Sequence, residues 1–286
     1  MISVKKDFNS PPAKLVNSRR DELIKDAIIN KNKHEFKSSV YRQTTIEALE
    51  VLFNHKCAYC ESDTSAGAPF QVEHFRPKAK VEGATNHNGY YWLAYEWSNL
   101  TLGCSRCNNA KKNHFPINGT RISQPQIDAA TGLPTAQYLN VDSAEFLNEQ
   151  SILLNPEVDT VENHIYFLPN GRIEGLDERG VKTIELLKLN RTRLVFWRKK
   201  VLDDFLNEIR DVLEDLAAQK IGTDEGRYAI KQILKRVASR QHPSQPYSRF
   251  GYFIFNKFEI FIGNQLDTKQ KDAMLKFFKL FMDGEL

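Results

Sequence analysis

No apolar run in this chain approaches the roughly 20 residues needed to cross a bilayer. Its first residues, MISVKKDFNSPPAKL, lack the apolar core of a signal peptide. These absences predict a cytoplasmic protein, where thiols stay reduced. No GxxxxGK[ST] phosphate loop occurs, so any ATP dependence has to come from a partner. Internal repeats and low-complexity tracts are missing too. Cysteine is scarce, with four in 286 residues, and a chain of this length buries a sizeable core without disulfides.

Charge is also modest, at a net +4, but it is unevenly spread. Residues 1–120 hold 17 Lys and Arg against 12 Asp and Glu, while the remainder is close to balance. The basic excess therefore lies in the half that carries the cysteines, which suits a polyanionic partner. The first 35 residues are polar, and Pro11-Pro12 opposes a helix there. Ile46, Leu49, Leu52 and Phe53 fall at helical spacing and predict a helix running into Cys57. Phe70 to Phe75 alternates as a short strand, Tyr90 to Trp97 predicts a short helix, and Leu100 to Gly103 a return strand. A further helix is expected from about Cys104 to Asn113, before Pro116. Residues 117–150 have the composition of a long connection, and His164 to Ile173 reads as a hairpin turning at Asn170-Gly171. Beyond Asp177 the pattern is helical. Leu194, Trp197, Val201, Phe205, Ile209, Val212 and Leu216 mark one face, and more helices are expected at 224–240, 250–264 and 267–282.

The cysteines form two pairs, Cys57-x2-Cys60 and Cys104-x2-Cys107, with none left over. A CxxC turn offers two thiolates to one ion, and two such turns complete the tetrahedral shell of zinc. A closed shell leaves no position for substrate, so this zinc is structural. The 43 residues between the pairs exceed a usual zinc ribbon. That insertion holds Glu73-His74 and Asn99-Leu100, and Asn108 follows the second pair at once.

The order CxxC, Glu-His, Asn-Leu, CxxCN resembles the HNH nucleases, whose ββα-metal motif places a carboxylate-His pair on a strand and an Asn or His on the following helix. The longer signature CAYCE, VEHFRPK, YYWLAYEWSNL and CSRCNNAKKNHFP is similar to the HNH nuclease subunit of Septu-type anti-phage systems, also found with some retrons. The LLNPE stretch at 153–157 and the hairpin after it share in the resemblance, which covers about residues 40–175. It implies a catalytic set of His74, Asn99 and Asn108: His74 as general base, Asn108 with Glu73 holding a magnesium or manganese ion, and Asn99 fixing loop geometry. Many HNH enzymes have Asp where this chain has Glu73, and relatives often have Gly at the place of Lys112. Arg76, Lys78, Lys80, Arg106, Lys111 and Lys112 flank the proposed site and are candidates for phosphate contact. The aromatic run Tyr90, Tyr91, Trp92, Tyr95 and Trp97 reads as core, as do Phe253, Phe255, Phe258 and Phe261. His114 lies about 240° around the helix from Asn108 and is left out. His55, His87, His164 and His242 have no supporting pattern.

The expected architecture is α+β. An N-terminal segment (1–35) precedes a zinc-stapled ββα-metal HNH module (36–120), a connection with a hairpin (121–177) and a mainly α-helical C-terminal region (178–286). The expected function is a metal-dependent endonuclease acting on nucleic acid, DNA before RNA, in anti-phage defence. By the same resemblance its partner is an ABC-type ATPase, and the helix-forming, nearly charge-balanced residues 178–286, rich in Phe and Leu, are expected to help dock it. An RNA-cleaving HNH nuclease and a zinc module that binds nucleic acid without cutting it remain open alternatives.

Overall fold

Asn17 caps the first helix, its side chain accepting from the Arg20 amide at 2.9 Å. This helix, α1 (Ser18–Asn30), buries Leu23, Ile24 and Ala27, and it packs on Ala94 and Tyr95. The computed structural model describes residues 1–286, the side chain of Asn32 apart. Helix α2 (Ser38–Leu52) stops short of Cys57, where the sequence pattern predicts continuation. Asn54 and His55 both adopt positive φ, 51° and 54°, which no helix tolerates. Strand β1 (Gln71–His74) pairs antiparallel with β2 (Leu100–Gly103), in a register that sets Glu73 opposite Thr101 and His74 opposite Leu100. Helix α3 (Ser105–Lys111) follows directly, so strand, strand and helix stand in the expected order.

Tyr90 to Trp97 does not form the predicted short helix. Two 3-10 turns, Tyr91–Leu93 and Trp97–Asn99, replace it. Side chains bond three carbonyls of the run: Asn99 Nδ2 takes Leu93 O, His74 Nε2 takes Ala94 O, and Arg20 Nε takes Tyr95 O. Of these only Leu93 O would accept within such a helix, and Asn99 Nδ2 and Glu96 N claim it instead. All five aromatics of the run are buried, as core.

Residues 117–150 pack rather than loop freely. The bridge Ile117 to Ser151 and the short α4 (Ala144–Leu147) anchor them, with Val141, Phe146 and Glu149 buried. Strands β3 (Ile165–Phe167) and β4 (Ile173–Gly175) form the expected hairpin, with Gly171 at φ 81° in the turn. Helix α5 (Glu178–Leu186) is capped by Asp177, whose carboxylate accepts from Gly180 N at 2.8 Å.

The chain divides into two compact units. The first comprises residues 1–165 and 175–189, so α5 belongs with the β1–β2–α3 module. The second comprises 166–174 and 190–286 and is helical: α6 (Thr192–Ala217), α7 (Thr223–Ser239), α8 (Ser248–Asn256), α9 (Phe258–Phe261) and α10 (Thr268–Met282). On α6 the buried stripe runs through Leu194, Arg198, Leu202, Phe205 and Ile209. Trp197, predicted on that face, is 46% exposed. Arg198 takes its place because the guanidinium lies 5.5 Å from the Phe167 ring and donates to Gly171 O at 3.2 Å. Phe250, Phe253, Phe258 and Phe261 fill the core of this unit, while Phe255 is half-buried. No helix is long and apolar enough to cross a membrane.

Candidate active site and metal centre

The first CxxC turn is tied to β2 by its backbone, Ala58 N donating to Leu102 O at 2.9 Å. Cys104 is the N-cap of α3 and donates its amide to Cys57 Sγ at 3.3 Å. All four thiols are buried and their sulfurs lie within 4.8 Å of one another, with Cys60 and Cys104 at 3.8 Å. Four sulfurs about 2.3 Å from a tetrahedral ion stand about 3.8 Å apart, so the donor set fits a closed zinc shell. Burial pushes the Cys57 thiol well up, a cost to the thiolate that a bound dication offsets. Among the described residues no other group of three or more His, Cys, Asp or Glu side chains gathers in this way.

Glu73 and His74 end β1 and, with Asn108 of α3, line one cavity of about 270 Å³ together with Tyr41, Lys78 and Lys112. His74 is nearly fully buried. Its Nε2 donates to Ala94 O at 2.9 Å, which fixes the tautomer and leaves Nδ1 as the acceptor. Lys78 Nζ stands 3.3 Å from Nδ1, and the Tyr41 ring packs edge-on at 4.7 Å. Burial, then the Lys78 charge, hold the imidazole well below its usual range, with Lys111 adding to the effect. The ring is therefore a neutral base at neutral pH.

Glu73 Oε1 accepts from Lys111 Nζ at 2.8 Å, and the same ammonium donates to the His74 backbone carbonyl at 2.8 Å. Asn108 Nδ2 donates to Gln71 Oε1 at 2.6 Å, a bond that does not use its amide oxygen. Gly103 lies between these two residues: a methyl built on it would stand 3.6 Å from Glu73 Cβ and 3.8 Å from Asn108 Cβ. One carboxylate and one amide oxygen flanking an open cavity fit a hard divalent ion that keeps most of its waters.

Asn99 does not touch the cavity. Fully buried, it accepts from Arg76 N at 2.8 Å and donates to Arg76 O at 3.0 Å, so it locks the backbone two residues after His74.

The basic cluster divides. Lys80, Arg106 and Lys112 are exposed, and Lys78 is half-buried inside the cavity. Arg76 and Lys111, expected to meet phosphate, are instead 3% and 0% exposed. Arg76 is held by Glu149 at 2.8 Å and by Phe146 O at 3.1 Å, and Lys111 by Glu73. A buried cation with its donors already satisfied offers nothing to a ligand. Lys112, at φ 47°, closes α3 in a backbone conformation that favours glycine.

Sequence reasoning missed Glu149. Its fully buried carboxylate gathers Arg76, the Tyr90 hydroxyl and the Ile122 amide, the last at 3.0 Å. No local pattern marks it, because its partners lie far along the chain. Gln71 and Tyr41 were missed as well, although both sit in elements the pattern did predict.

Comparison with known proteins fits this geometry. Residues 57–114 match the HNH endonuclease family model. The chain is 33% identical over 197 residues to Septu protein PtuB of Bacillus mycoides (strain KBAB4), covering 65% of this chain and 61% of that protein. It is 25% identical over 279 residues to Septu protein PtuB of Bacillus thuringiensis, covering 96% of this chain and 88% of that protein. A third match, 28% identical over 189 residues, is to Septu protein PtuA of Bacillus mycoides (strain KBAB4), of which the aligned part is 23%. Residues 57–114 thus resemble an HNH endonuclease domain, and the chain is similar to Septu PtuB proteins, spanning 61% of the length of the Bacillus mycoides one.

Proposed function

We propose that this chain is a metal-dependent endonuclease that hydrolyses phosphodiester bonds in nucleic acid, DNA before RNA, as the cytoplasmic effector of an anti-phage defence system. The observation that carries the reading is the state of His74: neutral, with Nε2 bound to Ala94 O and Nδ1 left to accept, beside Glu73 and Asn108 in one cavity. In the reaction His74 Nδ1 takes the proton of a water whose oxygen attacks phosphorus. The bond from phosphorus to the leaving oxygen breaks, and that oxygen takes its proton from solvent. Glu73 and Asn108 would hold a magnesium or manganese ion, whose chemistry there is charge relief on the phosphate and leaving oxygens. Lys111 holds the Glu73 carboxylate in place. Cys57, Cys60, Cys104 and Cys107 hold zinc as a structural ion.

The test is incubation of purified protein with DNA and with total RNA in magnesium or manganese. DNA cleavage lost in His74→Ala supports the reading, and cleavage of RNA alone moves the substrate to RNA. No cleavage of either, with or without the partner, leaves a zinc module that only binds.

The partner in this reading is an ABC-type ATPase, as the Septu resemblance implies, docked on the helical C-terminal part. Because α5 packs within the first unit, the docking part is residues 190–286, and a truncation that spares the site ends at Leu189. Co-purification of the neighbouring ATPase with the full chain but not with the shortened one supports this. Equal capture by both places the interface elsewhere.

A further inference from the structure

Beside the cavity of His74 lies a second depression, of about 530 Å³, between α3 with the turn that follows it and α5. Lys112 lines both, so the two depressions adjoin at this residue. Its walls carry Lys112, Lys182 and Lys188, all exposed, and His114, half-buried, while Glu185 is the one acid among the lining residues. Lys182 pairs with Glu185 at 3.1 Å, but both side chains are more than half exposed and such a pair opens at little cost. The groove therefore presents net positive charge next to the cavity that holds His74.

Two of these lysines stand where the backbone has no use for a side chain. Lys112 at the end of α3 has φ 47°, and Lys188, just past the end of α5, has φ 50°. Glycine is the residue such positions favour. A cation near a helix C-terminus is favourable anywhere in the last turn, so the helix dipole does not call for lysine at the one position with positive φ. Both of these positive-φ lysines line the same groove.

We propose that this groove is the track of the nucleic-acid backbone into the site, with its phosphates held by Lys112, Lys182 and Lys188. The proposal rests on the nuclease reading above and extends it to α5, which lies outside residues 57–114. Contacts of this kind read charge and not sequence, so they position the strand at His74 without selecting where it is cut.

The experiment measures binding of a labelled DNA duplex, and of a single-stranded RNA of equal length, by the full zinc-loaded chain without divalent ion across a salt series. The variants are K182Q, K188G and their combination, with K188Q as the form that keeps the backbone unchanged. K188G relieves the positive φ, so its melting temperature is expected to stay level or rise while binding weakens. Each lost lysine lowers the slope of log affinity against log salt by about 1, and the double variant by about 2. An unaltered protein that binds, together with a folded double variant of equal affinity and slope, overturns the groove and leaves the nuclease reading in place. An unaltered protein that binds neither nucleic acid removes both.

Discussion

Lys78 sets its ammonium nitrogen 3.3 Å from Nδ1 of His74, the one ring nitrogen that Ala94 leaves unclaimed. The lysine is braced by the Tyr41 and Phe36 rings, 5.2 and 5.7 Å from its nitrogen. In the proposed reaction a donor at Nδ1 stands where the attacking water has to be, so Lys78 has to yield before His74 can act. A phosphate oxygen is a stronger acceptor than a neutral imidazole and supplies a reason for it to move.

The pH dependence follows from this pairing. Burial and Lys78 depress the His74 pKa, so the base is already deprotonated at neutral pH and the acid limb of the rate profile lies below 6.5. Removing the cation in Lys78→Met raises that pKa, and the limb moves to higher pH. Rate profiles from about pH 5 to about pH 8 check this. An unmoved limb would show that Lys78 does not act on the ring.

Folding stability carries the same sign. A histidine whose folded pKa is lowered contributes stability that is complete above its unfolded value of 6.5 and is lost as pH falls through the folded value. His74→Gln removes this contribution. Unfolding midpoints of the two proteins should therefore differ less at acid pH than at neutral pH.

His74→Ala should lower cleavage by about 100-fold or more while zinc content is unchanged. Asn108→Ala should raise the magnesium or manganese concentration needed for half-maximal rate. A wild-type rate in His74→Ala would place the chemistry elsewhere.

Glu149 lies outside the motif, and its loss is costly through Arg76. Both side chains are buried, at 0% and 3% exposure, so Glu149→Ala leaves an uncompensated guanidinium. The expected destabilisation is about 3 to 5 kcal/mol, measured by urea unfolding. A change under about 1 kcal/mol would mean that Phe146 O and water suffice for Arg76.

Metal analysis should find about one zinc per chain, and Cys57→Ser or Cys104→Ser should lose both the ion and the fold of the β1–β2–α3 module. A folded, active preparation without zinc would rule this out.

The candidate site was legible in the sequence because its parts sit at short, strict spacings. The two CxxC pairs, Glu73-His74, and Asn108 just after Cys107 each occupy a single turn or strand, and the structure brings them together. What escaped depends on distant groups. Arg76 reads as a phosphate ligand until Glu149 arrives from 73 residues away. Lys111 looks like a surface cation, yet the helix turns it onto Glu73. Tyr90 to Trp97 forms two 3-10 turns in place of a helix, with Leu93 O held by Glu96 N and by the Asn99 side chain from beyond the run. On α6 an arginine held by an aromatic ring and a turn carbonyl displaces a tryptophan from the buried stripe.

Helix α3 has seven residues, too few to hold its own shape, and it begins on Cys104 and carries Cys107 one place before Asn108. In a zinc-thiolate shell the sulfurs are the oxidisable atoms. A disulfide closes two sulfurs to about 2.05 Å, a separation no zinc shell allows, so oxidation would expel a bound ion and loosen the helix. Asn108 would then leave Glu73, and the proposed cleavage would cease without any change at His74. The second unit holds no cysteine and is blind to that chemistry. Peroxide stress would therefore disarm the blade of this protein while leaving its handle intact.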